Sequence, residues 1–168
     1  MRSVLSASLA AAALVCFSAL LQPAASDAVV IDRVIAYVDD RAITYSELRT
    51  RYELIKRTRP DMTERQTLDS MINALLMLQK AKKMRFEAPT EDELIREYME
   101  VSIKSRVYVG EDKIREYYDK NRKEFMGREF EAVRPEIERY LVEVETNRRL
   151  QDHIKELRAG ANIVIKDK

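Results

Sequence analysis

Hydrophobic and polar positions along the chain fall into three successive rhythms. The first 26 residues hold one basic residue (Arg2), an almost unbroken apolar stretch from Val4 to Leu21, and a tail of Gln22-Pro23-Ala24-Ala25-Ser26. From Val29 to Val38 (VVIDRVIAYV) β-branched residues dominate, broken only by Asp32 and Arg33, and Asp39-Asp40 then supplies a turn before the short return Arg41-Ala42-Ile43. Such a run bounded by Asp residues predicts a β-hairpin over 29–43. The turn type stays open, because Asp enters left-handed backbone geometry less readily than Asn-Gly.

Beyond the hairpin the period changes to that of helices. Thr44 with Glu47 forms a capping box that opens a helix through about Arg57, closed by Arg59-Pro60-Asp61. Thr63 with Gln66 opens the next, running to about Met84. Its apolar residues cover more than one face, most densely over Ala74 to Leu78, which marks a central helix with neighbours on several sides. Thr90 with Glu93, just after Pro89, starts a third helix through roughly Ser105. After Gly110, the positions Ile114, Tyr117, Tyr118, Asn121 and Phe125 recur at intervals of three and four and predict a half-buried helix ended by Gly127. A last helix is expected from about Pro135 to Arg158, stopped by Gly160. Ala161 to Ile165 has strand composition, and a lone strand must find a partner for its backbone. The hairpin is the available one, so the two ends of the domain are expected to meet. The fold class is thus mainly α: helices at 45–158, with a small N-terminal hairpin paired to a closing strand at 161–165.

Composition narrows the function. Thirty Lys and Arg face 29 Asp and Glu, which excludes a strongly basic nucleic-acid binder. Three Gly and four Pro leave little for phosphate-cradling loops, and with no Trp the remaining composition suits helices. One His (His153) and one Cys (Cys16) cannot make a three-ligand zinc site, and a Ser-His-Asp triad or a Cys-His pair would have only these to draw on. No catalytic residue, metal site or cofactor is expected.

The order of the first 26 residues, basic then apolar then small, is that of a secretory signal peptide. Cleavage after Ser26 or after Ala28 satisfies the small-residue rule equally, and an uncleaved membrane anchor is the alternative, since the apolar run approaches the shortest bilayer spans. Val15 stands where a lipobox carries Gly or Ala, so Cys16 reads as one more hydrophobe of the leader. Without residues 1–26 the chain has 142 residues, one domain's worth, with equal numbers of acidic and basic groups and no thiol. A periplasmic location is expected, where a chain that needs no disulfide is at no disadvantage. No later apolar run is long enough to predict a membrane span.

The segment VIDRVIAYVDDRAITYSEL (30–48), followed by SMINALLMLQKAKKM (70–84) and Thr90-Glu91-Asp92-Glu93-Leu94, resembles the N-terminal domain of the SurA-like periplasmic chaperones, related to foldases of the PpiD and PrsA kind. VGEDKIREYYDKNRKEF (109–125) is similar to that family's helix ending in Tyr-Tyr-x-x-Asn-x-x-x-Phe, and FEAVRPEIERYL…LRAGANIVI (130–165) to its closing helix and strand. The resemblance implies a chaperone domain over 27–168. In full-length family members a parvulin-type prolyl isomerase domain lies between the last two segments; here only Met126-Gly127-Arg128-Glu129 separates Phe125 from Phe130. Parvulin chemistry, as the resemblance implies it, uses paired His residues and a Cys or Asp, so no isomerase activity is expected. The stretch from Leu94 to Val107 is also shorter than its counterpart, which implies a smaller client cradle.

A holdase works through surface and shape. Met side chains repack around different partners, and Met62, Met71, Met77, Met84, Met99 and Met126 remain beyond the leader. Met71 and Met77, inside the most apolar helix, are expected to be core. Tyr98, Met99 and Tyr108, where periodicity weakens, are the candidate client-contacting residues. Glu136, Glu138, Glu143 and Glu145 alternate with Arg134, Arg139, Arg148 and Arg149, which predicts a solvated, ion-paired helix face. Lys80, Lys82, Lys83 and Arg85 suit a helix C-terminus, and His153 a surface or boundary position. The expected partners are unfolded or outer-membrane polypeptides; exchange of the terminal strand or closing helix offers a route to a homodimer. A helical adaptor or assembly subunit holding one folded partner is the alternative, and a prolyl isomerase the third.

Overall fold

The computed structural model describes residues 32–166. The expected signal peptide (1–26) and the first residues of the expected hairpin (29–31) lie outside the described residues. In chain order the elements are β1 (Val34–Val38), β2 (Arg41–Thr44), α1 (Tyr45–Lys56), α2 (Glu64–Lys83), α3 (Glu91–Ser102), α4 (Glu111–Lys120), α5 (Phe130–Ala159) and β3 (Ile163–Ile165). Short 3₁₀ turns follow α3 at Lys104–Arg106 and α4 at Arg122–Phe125. The fold is mainly α, with the expected hairpin and closing strand joined in one sheet.

That sheet is antiparallel with strand order β2-β1-β3. Asp39 takes a φ of 53° at the hairpin turn. Its backbone N–H donates to the carbonyl of Asn162 at 2.8 Å, and its carboxylate Oδ1 accepts from the N–H of Asn162 at 2.9 Å. At the other end of the ladder the N–H of Lys166 donates to the carbonyl of Ile35 at 2.9 Å. One aspartate therefore both turns the hairpin and clamps the returning strand.

Capping sets the helix starts. Thr44 accepts from the N–H of Glu47 at 3.4 Å while the Glu47 carboxylate accepts from the N–H of Thr44 at 2.8 Å, and Thr63 with Gln66 repeats the exchange at 3.2 and 2.9 Å. Asp32 reinforces the first cap by accepting from both the N–H and the hydroxyl of Ser46, which holds its carboxyl below the usual range. The third box forms only half: Thr90 accepts from the N–H of Glu93 at 3.2 Å, but Oε2 of Glu93 is buried without a hydrogen-bond partner.

Three helix boundaries differ from expectation, and the closing strand expected at 161–165 begins only at Ile163. α3 ends at Ser102 and α4 at Lys120, each running on as a 3₁₀ turn; after α4, the Asn121 side chain donates to the carbonyl of Tyr117 at 2.7 Å and draws that end inward. α5 begins at Phe130, upstream of Pro135. A proline that early in a helix forfeits only the bond to the carbonyl four residues back. Burial of Phe130 and Val133 against α4 outweighs that loss.

The packed residues form three clusters. β1, β2 and α1 close on α2 through Val38, Ile43, Leu48 and Ile72. Farther along α2, Met77, Leu78 and Ala81 meet Leu94 and Tyr98 of α3. The third cluster joins Ile114 of α4 to Phe130, Val133 and Ile137 of α5. At about 1.5 Å rise per residue, α5 is roughly 45 Å long, and it belongs to all three: its first half builds the α4 cluster, while Leu150 and Leu157 pack against the other two. Near its C-terminus Arg158 reaches α2, donating to Asn73 Oδ1 at 2.6 Å and Asp69 Oδ1 at 3.2 Å.

α2 closes in a Schellman turn. Arg85 adopts a φ of 59°, its N–H donating to the carbonyl of Lys82 and the next N–H, of Phe86, to that of Ala81. Arg85→Gly removes the cost of left-handed backbone for a side-chain-bearing residue and should stabilise the fold by about 1 kcal/mol, read as a higher urea midpoint. At the hairpin, Asp39→Ala should cost about 1–2 kcal/mol by losing the Asn162 contact and the tolerance for positive φ. Asp39→Asn, which keeps both, should stay within about 0.5 kcal/mol of the parent in the same titration.

Candidate functional site

The three residues expected to contact clients part company in the fold. Tyr98 is 1% exposed, so its ring belongs to the α2–α3 core and is corrected here from a client contact to a packing residue. The ring of Phe86 meets it edge-on at 5.6 Å, and its hydroxyl shares a 2.5 Å hydrogen bond with Nε2 of His153 on α5. Burial raises the Tyr98 pKa. The apolar period of α3 runs through Tyr98, which forms an i, i+4 pair with Leu94 on the buried face. Met99 is half-buried beside the same cluster, and Tyr108 stands 84% exposed in the connection before α4.

A different surface is concave. Between β2, α1, α2 and the start of α3 lies an open groove of about 520 Å³. Leu54 of α1 and Met71, Leu75 and Leu78 of α2 line it, with Ile95 of α3 at its far side. Leu54 is 55% exposed there, and Met71 and Leu75 are half-buried. Around these apolar side chains stand Arg41 of β2, Arg51 of α1 and Asp92 of α3. Glu91 also borders the groove but is bound to Lys82 at 2.7 Å, a hydrogen bond that with the charge of Arg41 lowers its pKa.

Why the sequence leaves this surface open follows from the helix periods. Leu48, Tyr52 and Ile55 form one stripe on α1; Leu54 falls off it, so packing on the core face cannot bury Leu54. On α2 the dense apolar run over Ala74 to Leu78 has more faces than the sheet, α3 and α5 cover. Leu54 could have been found as an apolar residue out of phase. The groove could not, because it needs the placement of α1 against α2. Met77 is core as expected, whereas Met71 divides its surface between the sheet cluster and the groove.

The charged face of α5 is an ion-pair lattice. Glu145 accepts from Arg148 at 2.7 Å and Arg149 at 3.0 Å, and these bonds pull its pKa down to about 2. Arg134 joins Glu138 within α5 at 3.0 Å and Glu111 of α4 at 2.7 Å, which lowers the Glu111 pKa. Among the described residues no group of three or more His, Cys, Asp or Glu is arranged to hold a metal ion, and no helix is long and apolar enough to cross a membrane.

No protein-family model and no curated protein matches the chain.

The Glu145 lattice gives a pH signature. A carboxylate with a depressed native pKa adds stability that is present above its unfolded value of 4.5 and lost as pH falls toward about 2. The melting temperature of Glu145→Gln should therefore lie below that of the parent at pH 7, and the gap should close between pH 4.5 and pH 2. A gap that stays constant across this range would show that Glu145 stabilises α5 by some means other than its charge.

Proposed function

We propose that the chain is an exported, nucleotide-independent holdase that takes apolar segments of unfolded polypeptides into the groove between β2, α1, α2 and α3. The observation that carries this reading is the groove itself: concave and open, with Leu54 exposed in it and Met71 and Leu75 half-buried along it. Leaving large apolar side chains in a concave surface is what binding sites do, and its size sits within the roughly 300–1,000 Å³ of typical ligand sites. Met71, one of the lining residues, is of the side-chain type that repacks around different partners. The charged border keeps the surface soluble and limits how deeply any one ligand is held.

Such a site needs no catalytic group, because a holdase lowers the concentration of free, aggregation-prone chains by mass action alone. Modest affinity and release without nucleotide go together. The leader-like order of residues 1–26 supports export, and the ordered series of segments resembling the SurA-like domain supports a chaperone role in the periplasm. The four residues between Phe125 and Phe130 leave no room in this chain for a domain at that point, which supports chaperone action without isomerase activity.

The test is light scattering of a denatured outer-membrane protein diluted into buffer with increasing amounts of the purified protein, repeated with an unrelated unfolded client. Dose-dependent suppression with both is expected. Leu54→Glu should weaken suppression several-fold while leaving the melting temperature near that of the parent, since an exposed side chain contributes little to folding. Tyr108→Ala should leave suppression unchanged. Absence of suppression at a large molar excess would overturn the holdase reading in favour of an adaptor with one folded partner.

A further inference from the structure

The wall of the groove says more about its ligand than the floor does. Hydrogen bonding along β1 alternates: Ile35 and Asp39 turn their backbone groups toward β3, so Tyr37 between them does the same, while Ala36 and Val38 face β2. Ala36 pairs with Ile43 and Val38 with Arg41, which makes Tyr37 and Ala42 a pair without hydrogen bonds. The N–H and C=O of Ala42 therefore point away from β1, off the free edge of the sheet. Among the described residues nothing hydrogen-bonds to either, and Ala42 itself lines the groove.

An unpaired donor and acceptor on one edge residue match the backbone of another extended chain. The geometry also fixes the phase. Ile43 is buried on the core face of the sheet and Ala42 is exposed on the other. The sheet is antiparallel throughout, and a strand that continues it antiparallel would exchange both bonds of Ala42 with a single residue on the exposed face, leaving the residues on either side over the core face, toward Met71 and Leu75. Every second side chain, roughly 7 Å apart, would then enter the groove. Charge adds a third constraint. Five charged side chains line the groove; Glu47 is bonded in the Thr44 cap and Glu91 to Lys82, and of the three that make no ion pair among the described residues Arg41 and Arg51 outnumber Asp92.

We propose that the groove binds polypeptide as an added antiparallel strand, paired to Ala42 on the free edge of β2, with alternate apolar side chains in the groove and an acidic residue beside Arg41 and Arg51. This rests on the holdase reading and specifies the ligand as an extended, alternating, acid-bordered segment. The alternation of a β-strand that is apolar on one face is the pattern such a site selects.

The test uses fluorescence anisotropy of a labelled nine-residue peptide of alternating Val and Thr with Glu at both ends, titrated with the full protein. With Val facing the groove, the Thr amides face Ala42. N-methylation of the Thr amides should weaken binding roughly tenfold or more, by removing the shared hydrogen bonds, whereas N-methylation of the Val amides should change it far less. Exchanging the terminal Glu residues for Lys should weaken it several-fold. Ala42→Pro removes a donor that the sheet does not use, at an edge position where proline is tolerated, and should weaken the parent peptide while keeping the helical circular dichroism. Equal binding of the two methylated isomers overturns strand addition, as does unchanged binding by folded Ala42→Pro; equal binding of the Lys-bordered peptide overturns the acidic preference. Should the parent peptide fail to bind while client aggregation is still suppressed, strand addition fails and the holdase reading stands. Loss of both overturns both.

Discussion

The rest of the structure hangs on the pairing of β1 with β3. Asp39 and Asn162, separated by 123 positions, exchange backbone and side-chain hydrogen bonds, and through them the first and last described elements become neighbours in one sheet. Closing so long a loop costs entropy that no local interaction offsets. The return comes from the sheet cluster, where Ile163 and Ile165 complete the packing of Ile35, Ile43 and Ile72. Once β3 is in place, the C-terminal end of α5 can lie only across α2, where Arg158 finds Asn73 and Asp69.

α5 transmits that constraint to the far end of the molecule. A helix of about 45 Å cannot be buried by one small core, and its two halves answer to different partners. The C-terminal half is held by α2 and by the Tyr98–His153 hydrogen bond to α3; the N-terminal half carries α4. Between them the helix relies on its own surface, where Glu145 with Arg148 and Arg149 holds successive turns together and Tyr140 and Val144 remain partly exposed. The groove lies at the sheet end, with β2 as one of its walls.

What was legible in the sequence was local. Thr44 with Glu47 and Thr63 with Gln66 place two helix starts because all the bonding groups of a cap lie within one turn. The closing strand was legible by elimination, since its backbone needed the hairpin. Pro135 misled because proline is common at helix starts; only the burial of Phe130 and Val133 against α4 shows that the helix begins earlier. Tyr98 misled for a related reason: its partners, Phe86 and His153, come from different parts of the chain. Leu54 carried a readable signal as an apolar residue out of phase on α1, while Ala42 carried none, because its importance lies in backbone direction and not in side-chain type.

The turn between α4 and α5 bears on how this architecture can grow. Met126 and Gly127 both take left-handed backbone, the Met126 side chain is 91% exposed, and just below them Tyr118 donates from its hydroxyl to the carbonyl of Arg128 at 2.8 Å. The two strands of chain entering and leaving the tip are thus tied together beneath it. Extra sequence spliced in at the tip would meet solvent on every side and ask neither helix to shift. The molecule carries a ready-made socket at the end opposite its groove, so that a second module could be gained or shed without renegotiating the fold, and binding and any added chemistry could evolve as separate parts.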